Sequence, residues 1–146
     1  MRGYFGIGIE HGKTEQNIGT LFRSAVVFGA SFIFTVGRRY RRQCTDTTKG
    51  YRHMPLFHFA GIDDLLRHLP YGCPLIGIEL HEEATMLKDY AHRERACYLL
   101  GAEDHGLTGE AIDACHELII LPGRFCLNVA TAGSIVMYDR HVKEAI

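Results

Sequence analysis

Six short apolar runs divide this chain: YFGIGIE (4–10), SFIFTVG (31–37), PLFHF (55–59), PLIGIEL (74–80), ACYLLGAE (96–103) and ELIILPG (117–123). In FIFTV and LIIL nearly every position is apolar, not every second one. A strand of that kind must be covered on both faces. Between most of the runs lie segments of helical period. NIGTLFRSAVVFGA (17–30) places Ile18, Leu21, Phe22, Ala25 and Val26 on one face and ends at Gly29. GIDDLLRHL (61–69) and LTGEAIDACHE (107–117) are shorter, and a last segment runs from about Leu127 to Lys143. Strands alternating with helices predict an α/β fold, a mostly parallel sheet with helices on both faces. No linker, repeat or low-complexity stretch interrupts the pattern, so residues 1–146 read as a single domain.

Composition narrows the partners. With a formal net charge of −1, the molecule as a whole does not attract a polyanion, and any nucleic-acid surface has to be a local patch. The longest apolar run is far short of the ~20 residues that a membrane span requires, and the N-terminus lacks a signal-peptide cleavage site. Five cysteines (Cys44, Cys73, Cys97, Cys115, Cys126) form no CxxC pair. An odd number without a framework fits a reducing cytoplasm. Nine histidines show no ligand spacing, so no metal site is expected.

Three stretches carry candidate chemistry. YLLGAEDHGLTGEAI (98–112) is a strand, a glycine-bearing loop and a helix, placed where α/β sheets bind ligands. Gly101 and Gly106 permit close backbone approach, but Glu103 and Asp104 stand where a pyrophosphate needs donors. That argues against a dinucleotide oxidoreductase and for a nucleoside carrying cationic groups; a plain turn with solvated acids fits equally. TEQNIGTLFRSA (14–25) offers Asn17 as an N-cap and Arg23 further along the helix. Arg23 either meets an anion or lies on the wet face. RRYRRQ (38–43) sets Arg38, Arg39, Arg41 and Arg42 around a tyrosine, with Lys49, Arg52 and His53 downstream. Such density suits phosphate contact and base stacking, or a solvated loop. Two further features read as bland: Glu79 and His81 as loop-edge residues at one strand end, and Cys126 as a small thiol at a loop–helix junction. A last oddity is LPGRFCLNVATAGSIVMYDR (121–140), where Asn128 precedes a helix that begins with Ala130, Thr131, Ala132, Gly133 and Ser134 instead of bulky apolar residues.

Taken in order, N-x-G-x-x-x-R (Asn17 to Arg23), L-G-x-E-x-x-G-L (Leu100 to Leu107) and L-P followed by L-N-V-A (Leu121–Pro122, Leu127 to Ala130) resemble the SPOUT-class methyltransferases of the SpoU/TrmH type. The resemblance runs from about residue 4 to residue 143. It implies an α/β sheet whose C-terminal segment forms a trefoil knot, and a homodimer. It further implies an S-adenosylmethionine-dependent enzyme that methylates the ribose 2′-oxygen of RNA, tRNA ahead of rRNA, in the cytoplasm. The small residues after Asn128 would then leave room for the knotted crossing.

By the same resemblance, Ile78, Gly101, Glu103, Leu121, Cys126 and Leu127 would hold the cofactor. Arg23 would act on the reacting hydroxyl, from its own or the partner's pocket, and Asn17, Glu103 and Asn128 would fix the geometry. Cys126 stands where many relatives carry serine, and a thiol is the weaker hydrogen-bond partner. RNA contact would fall to Arg38, Arg39, Arg41 and Arg42. An RNA-binding protein without transfer activity and a base-methylating relative are the alternatives.

Overall fold

The structure is a computed structural model describing residues 3–41 and 49–144. Each of the six apolar runs forms a strand: β1 (Tyr4–Glu10), β2 (Phe32–Val36), β3 (Leu56–Phe59), β4 (Leu75–Ile78), β6 (Arg95–Leu100) and β7 (Glu117–Ile120). A further two-residue strand, β5 (Thr85–Met86), has too short an apolar pattern to be visible in the sequence. The helices are α1 (Glu15–Val27), α2 (Ile62–His68), α3 (Gly109–Ala114) and α4 (Val129–Glu144). All strand pairs are parallel, in the order β3-β2-β1-β6-β4-β7-β5.

Both faces of the sheet are covered, as continuous apolar strands demand. Ile7, Ile9, Tyr98 and Leu100 share one core with Ile18 and Leu21 of α1 and Ala130 and Val136 of α4. Phe34, Val36, Leu75, Cys97 and Leu99 form the other, with Ile62 and Leu65 of α2 and Ala111 of α3. Gly6 and Gly8 make room on the second face: a Cβ there would lie 2.2 Å from the Phe32 ring and 2.4 Å from the Phe34 ring. Each fully buried side chain of this size contributes about 1.5–3 kcal/mol.

The small residues of α4 serve its packing. A Cβ on Gly133 would sit 2.4 Å from Leu21 Cδ1 and 3.3 Å from Leu100 Cδ1, so α4 lies close against α1 and the sheet. A hydrogen bond joins Ser134 Oγ and Ser24 Oγ at 2.7 Å. The far end of α4 is pinned by buried polar groups. Arg140, 1% exposed, donates to the Arg93 carbonyl at 2.6 Å, the Glu94 carbonyl at 2.9 Å and the Tyr98 hydroxyl at 3.2 Å, and pairs with Glu144 at 2.6 Å. His92 Nδ1 meets the Tyr98 hydroxyl at 2.6 Å and His92 Nε2 meets Asp139 at 2.9 Å. Because Tyr98 accepts from Arg140, its own proton points at His92 Nδ1, which leaves the Nε2–H to donate to Asp139.

Cys73, Cys97, Cys115 and Cys126 are free thiols; Cys44 lies outside the described residues. Burial raises the Cys97 pKa well above its ordinary value and, helped by Glu10, pushes Cys115 up to about 12, so neither is a nucleophile.

Candidate active site

The carboxyl ends of β1, β4, β6 and β7 converge, and the chain reverses its winding direction between β1 and β6, where open α/β sheets hold ligands. The loop after β6 is closed on itself. Ala102 and Gly106 exchange both backbone hydrogen bonds, at 3.1 and 2.9 Å. A Cβ on Gly101 would fall 2.0 Å from the Gly106 carbonyl carbon and 2.1 Å from the Leu107 nitrogen, so only glycine fits. Gly106 takes φ +67°.

Two carboxylates grip this loop from other elements, and a third belongs to the loop itself. Glu79, just past β4, accepts the Leu107 N–H at 2.6 Å and the Leu80 N–H at 2.8 Å. Glu10, 2% exposed at the end of β1, accepts the Thr108 N–H at 2.9 Å and its hydroxyl at 2.8 Å. Thr108 Oγ1 in turn caps α3 by accepting the Ala111 N–H at 3.1 Å.

The third carboxylate, Glu103, points outward from the loop to α1. It accepts the Lys13 N–H at 2.9 Å, the Thr14 N–H at 3.3 Å and Asn17 Nδ2 at 3.3 Å. Burial disfavours its charge. The Lys13 N–H, its own backbone N–H, the Asn17 amide and the Thr14 N–H outweigh that and hold the carboxyl below its ordinary range. Asp104 pairs with Lys13 beside it, and that hydrogen bond lowers its pKa. Both acids of the loop are thus engaged within the chain and are not free to receive a ligand's cation.

The expectation that Asn17 caps α1 is corrected here. The N-cap residue is Thr14, whose side chain makes no capping bond, and Asn17 lies inside the first turn. Glu103 instead accepts the N–H groups of Lys13 and Thr14, the two residues just before α1, so a negative group stands near the helix start where the dipole favours one. Asn17 acts as a link: its Nδ2 donates to Glu103, and its Oδ1 accepts Asn128 Nδ2 at 3.0 Å. Asn128 is the true N-cap, accepting the Ala130 N–H at 2.9 Å and the Thr131 N–H at 3.2 Å through Oδ1 at the start of α4. Three residues far apart in the chain form one hydrogen-bonded line.

Beside that line lies a cavity of ≈ 310 Å³, within the size range of small-molecule sites. Ile78, Gly101, Glu103, Leu121, Cys126 and Leu127 all line it. Its floor includes Ile78, Leu100 and Val129, and its polar lip carries Glu103, Asp104 and His105. An apolar slot between strand ends that still offer backbone N–H and C=O groups fits a nucleoside-bearing ligand. Arg23 is exposed on α1, is not part of this cavity wall, and makes no hydrogen bond or ion pair among the described residues.

The arginine cluster separates into parts. Arg38 turns back onto the β1–α1 loop, donating to the Gly12 carbonyl at 3.0 Å and to the Lys13 carbonyl, and pairs with Glu15 at 3.2 Å. Arg39 is exposed. The Arg41 backbone donates to Glu15 at 2.8 Å while its side chain is exposed. Arg42 lies outside the described residues.

Sequence reasoning passed over Glu10, Lys13 and Glu79. An acid at the end of an apolar strand that opens onto a glycine loop was the available signal. Among the described residues no His/Cys/Asp/Glu group could hold a metal, and no helix is long and apolar enough to cross a membrane.

Residues 5–138 match the family model described as the SpoU rRNA Methylase family. The tRNA (guanosine(18)-2′-O)-methyltransferase of Escherichia coli K12 is 25% identical over 137 residues, covering 90% of this chain and 60% of that protein. The chain therefore spans less than two thirds of the curated relatives it matches. The SpoU methyltransferase AviRb from Streptomyces viridochromogenes superposes with a TM-score of 0.86 at 19% identity, over 99% of this chain and 61% of its own. A protein solved in a study of the 2-OH methylation of C/U34 on tRNA superposes with a TM-score of 0.84 at 19% identity, and each chain covers 99% of the other. With the match extending over nearly all of the sheet and its helices, the chain belongs to the SpoU rRNA methylase family.

Proposed function

We propose that this chain is an S-adenosylmethionine-dependent RNA methyltransferase that modifies a ribose 2′-oxygen, with tRNA as the substrate. One observation carries the reading. The Asn17–Glu103–Asn128 line stands directly beside the cavity lined by all six residues expected to hold the cofactor. The tRNA 2′-O-methyltransferase relative supports the reaction, and the solved tRNA-modifying protein of matching length supports the RNA class.

In the cavity, strand-end main chain at residues 78, 101 and 121 and the side chains of Cys126 and Leu127 would hold the cofactor, on a floor of Ile78, Leu100 and Val129. The bound cofactor supplies a methyl group on a sulfonium, a leaving group that needs little help from the protein. The acceptor hydroxyl would give up its proton to solvent as its oxygen took the methyl group in exchange.

The chain's task is to position the ribose and to favour negative charge on its oxygen. Arg23 performs the second part, because a guanidinium stays protonated and stabilises an oxyanion without serving as a base. Glu103, Asn17 and Asn128 set the relative position of α1 and the cavity. Arg39, Arg41 and Arg42 contact phosphate; Arg38 instead holds the loop carrying Lys13.

Arg23 stands outside its own chain's cavity, which supports a homodimer in which it serves the partner's. The outer face of α1 and α4 exposes Val27 (70%), Tyr138 (58%), Val142 (40%) and Ile135 (38%), an apolar surface suited to a second copy. Thr20 and Val27 share the stripe of α1 that carries Arg23. Family membership supports a knotted C-terminal crossing, in one domain over 1–146. A cytoplasmic location fits the RNA substrate and the free thiols.

The test is transfer of labelled methyl from S-adenosylmethionine to unmodified tRNA and rRNA, followed by nucleoside mass spectrometry. A 2′-O-methyl nucleoside that vanishes with Arg23→Ala is the expected result. A base-methylated product, or no transfer by a folded dimer, overturns it.

A further inference from the structure

Resting on that reading, we propose that Phe125 is a stacking platform for an RNA base at the mouth of the cofactor cavity, with Arg124 holding an adjacent phosphate. Phe125 is 89% exposed although it borders the cavity. Leu80, 64% exposed, and Leu127, 43% exposed, border the same cavity. Leu80 follows β4 and the other two follow β7; these strands are paired neighbours, so both loops open on one side of the mouth. That side is an apolar shelf. The other side is polar and already satisfied internally, by Lys13–Asp104 and by Asn17 with Glu103 and Asn128.

Charge selects the occupant. Residues 121–128, LPGRFCLN, contain one charged side chain, Arg124, and no carboxylate. Arg124 is exposed and precedes Phe125 in the chain. An open aromatic face with a neighbouring guanidinium suits an unstacked base and its phosphate, and it tolerates any base identity. A methyl acceptor on ribose has its base only one glycosidic bond away, so a nucleotide whose sugar enters the cavity mouth carries its base onto the lip. The cofactor's own adenine is the poorer occupant, since Phe125 is 89% exposed where an enclosed ligand would need buried walls. The second copy is poorer too, because the exposed apolar surface suited to it lies on α1 and α4.

The chain contains no tryptophan, so Phe125→Trp places its one tryptophan on the shelf, excited selectively over the seven tyrosines. Titrating that variant with an unmodified tRNA transcript pool is expected to quench its emission, whereas S-adenosylhomocysteine alone leaves it nearly unchanged. Phe125→Ala is expected to raise the tRNA KM about tenfold, with kcat and cofactor affinity within threefold, and Phe125→Trp restores the KM. Quenching by S-adenosylhomocysteine alone overturns the proposal in favour of a cofactor lid. Loss of the dimer in Phe125→Ala by light scattering overturns it in favour of a subunit contact. An unchanged KM in Phe125→Ala sinks the shelf while leaving the transferase reading intact. Quenching by tRNA without ribose methylation sinks the transferase reading while keeping the shelf.

Discussion

Glu103 Oε2 accepts the backbone N–H of Lys13 at 2.9 Å, so a residue of the β6 loop anchors the lead-in to a helix that begins 88 positions earlier in the chain, at Glu15. One carboxylate thereby couples the cavity wall to the helix bearing Arg23. Any change at Glu103 is expected to act on both.

Glu103→Gln keeps the shape but removes the charge that faces the α1 N-terminus. A loss of about 1 kcal/mol in urea unfolding is expected, typical of weakened hydrogen bonds, together with weaker cofactor binding by calorimetry. The pH dependence has a defined sign. The folded pKa lies below the unfolded one, so the stabilisation is present above about pH 4.5 and fades as pH falls below that value. The gap between wild type and Glu103→Gln should therefore be open at pH 7 and narrow toward pH 3.5.

Gly101→Ala forces a Cβ into the backbone of Gly106 and Leu107, which cannot yield as a side-chain tip would. The loop must open on the cavity side. Cofactor affinity should drop at least tenfold, with a stability cost of about 1–3 kcal/mol, measured by calorimetry and denaturant titration on one preparation.

Glu79→Gln retains an acceptor for only part of what the carboxylate holds. Its amide oxygen keeps one of the Leu107 and Leu80 N–H groups, and the other is left unpaired beside an unwanted donor. Hydrogen exchange at Leu107 should accelerate, and cofactor affinity should fall while the global melting temperature moves little.

Arg140→Ala leaves two backbone carbonyls and Glu144 without their buried partner. A cost of about 3–5 kcal/mol is expected for breaking such a set from one side. Arg140→Met, which restores the volume, should recover part of it, and equilibrium unfolding separates the two variants.

His92 is buried, and burial, outweighing the pull of Asp139, keeps its pKa below the ordinary histidine value. Tyr98, Asp139, Arg140 and Lys143 face it, and its Nδ1 receives the Tyr98 proton. The folded state therefore binds fewer protons than the unfolded chain, and stability falls as pH drops below about 6.5 toward the folded value. Between pH 7.5 and 5.5, wild type should lose more melting temperature than His92→Gln. That window lies above the carboxylate range.

The strands and helices were legible because their signals are local. Continuous apolar runs marked six of the seven strands, and helical periodicity marked all four helices to within a few residues; Thr85–Met86 was too short to leave a pattern. The three segments resembling the SpoU/TrmH type were likewise legible along the chain, and Gly101, Glu103, Leu121 and Leu127 of the cavity fall within them, whereas Ile78 and Cys126 lie outside. What the fold decided is which ends meet. Asn17 looked like a cap by its position, yet its side chain links Glu103 to Asn128, because β1 and β6 are neighbours and no local pattern encodes strand order. Glu10 and Glu79 looked like ordinary strand-end acids until the glycine loop after β6 folded onto them. Arg38 looked like part of an RNA-facing cluster until the β1–α1 loop presented its carbonyls. A side chain's propensity is a property of its own residue, whereas a buried hydrogen bond needs a partner at 3 Å, and only tertiary structure supplies that partner.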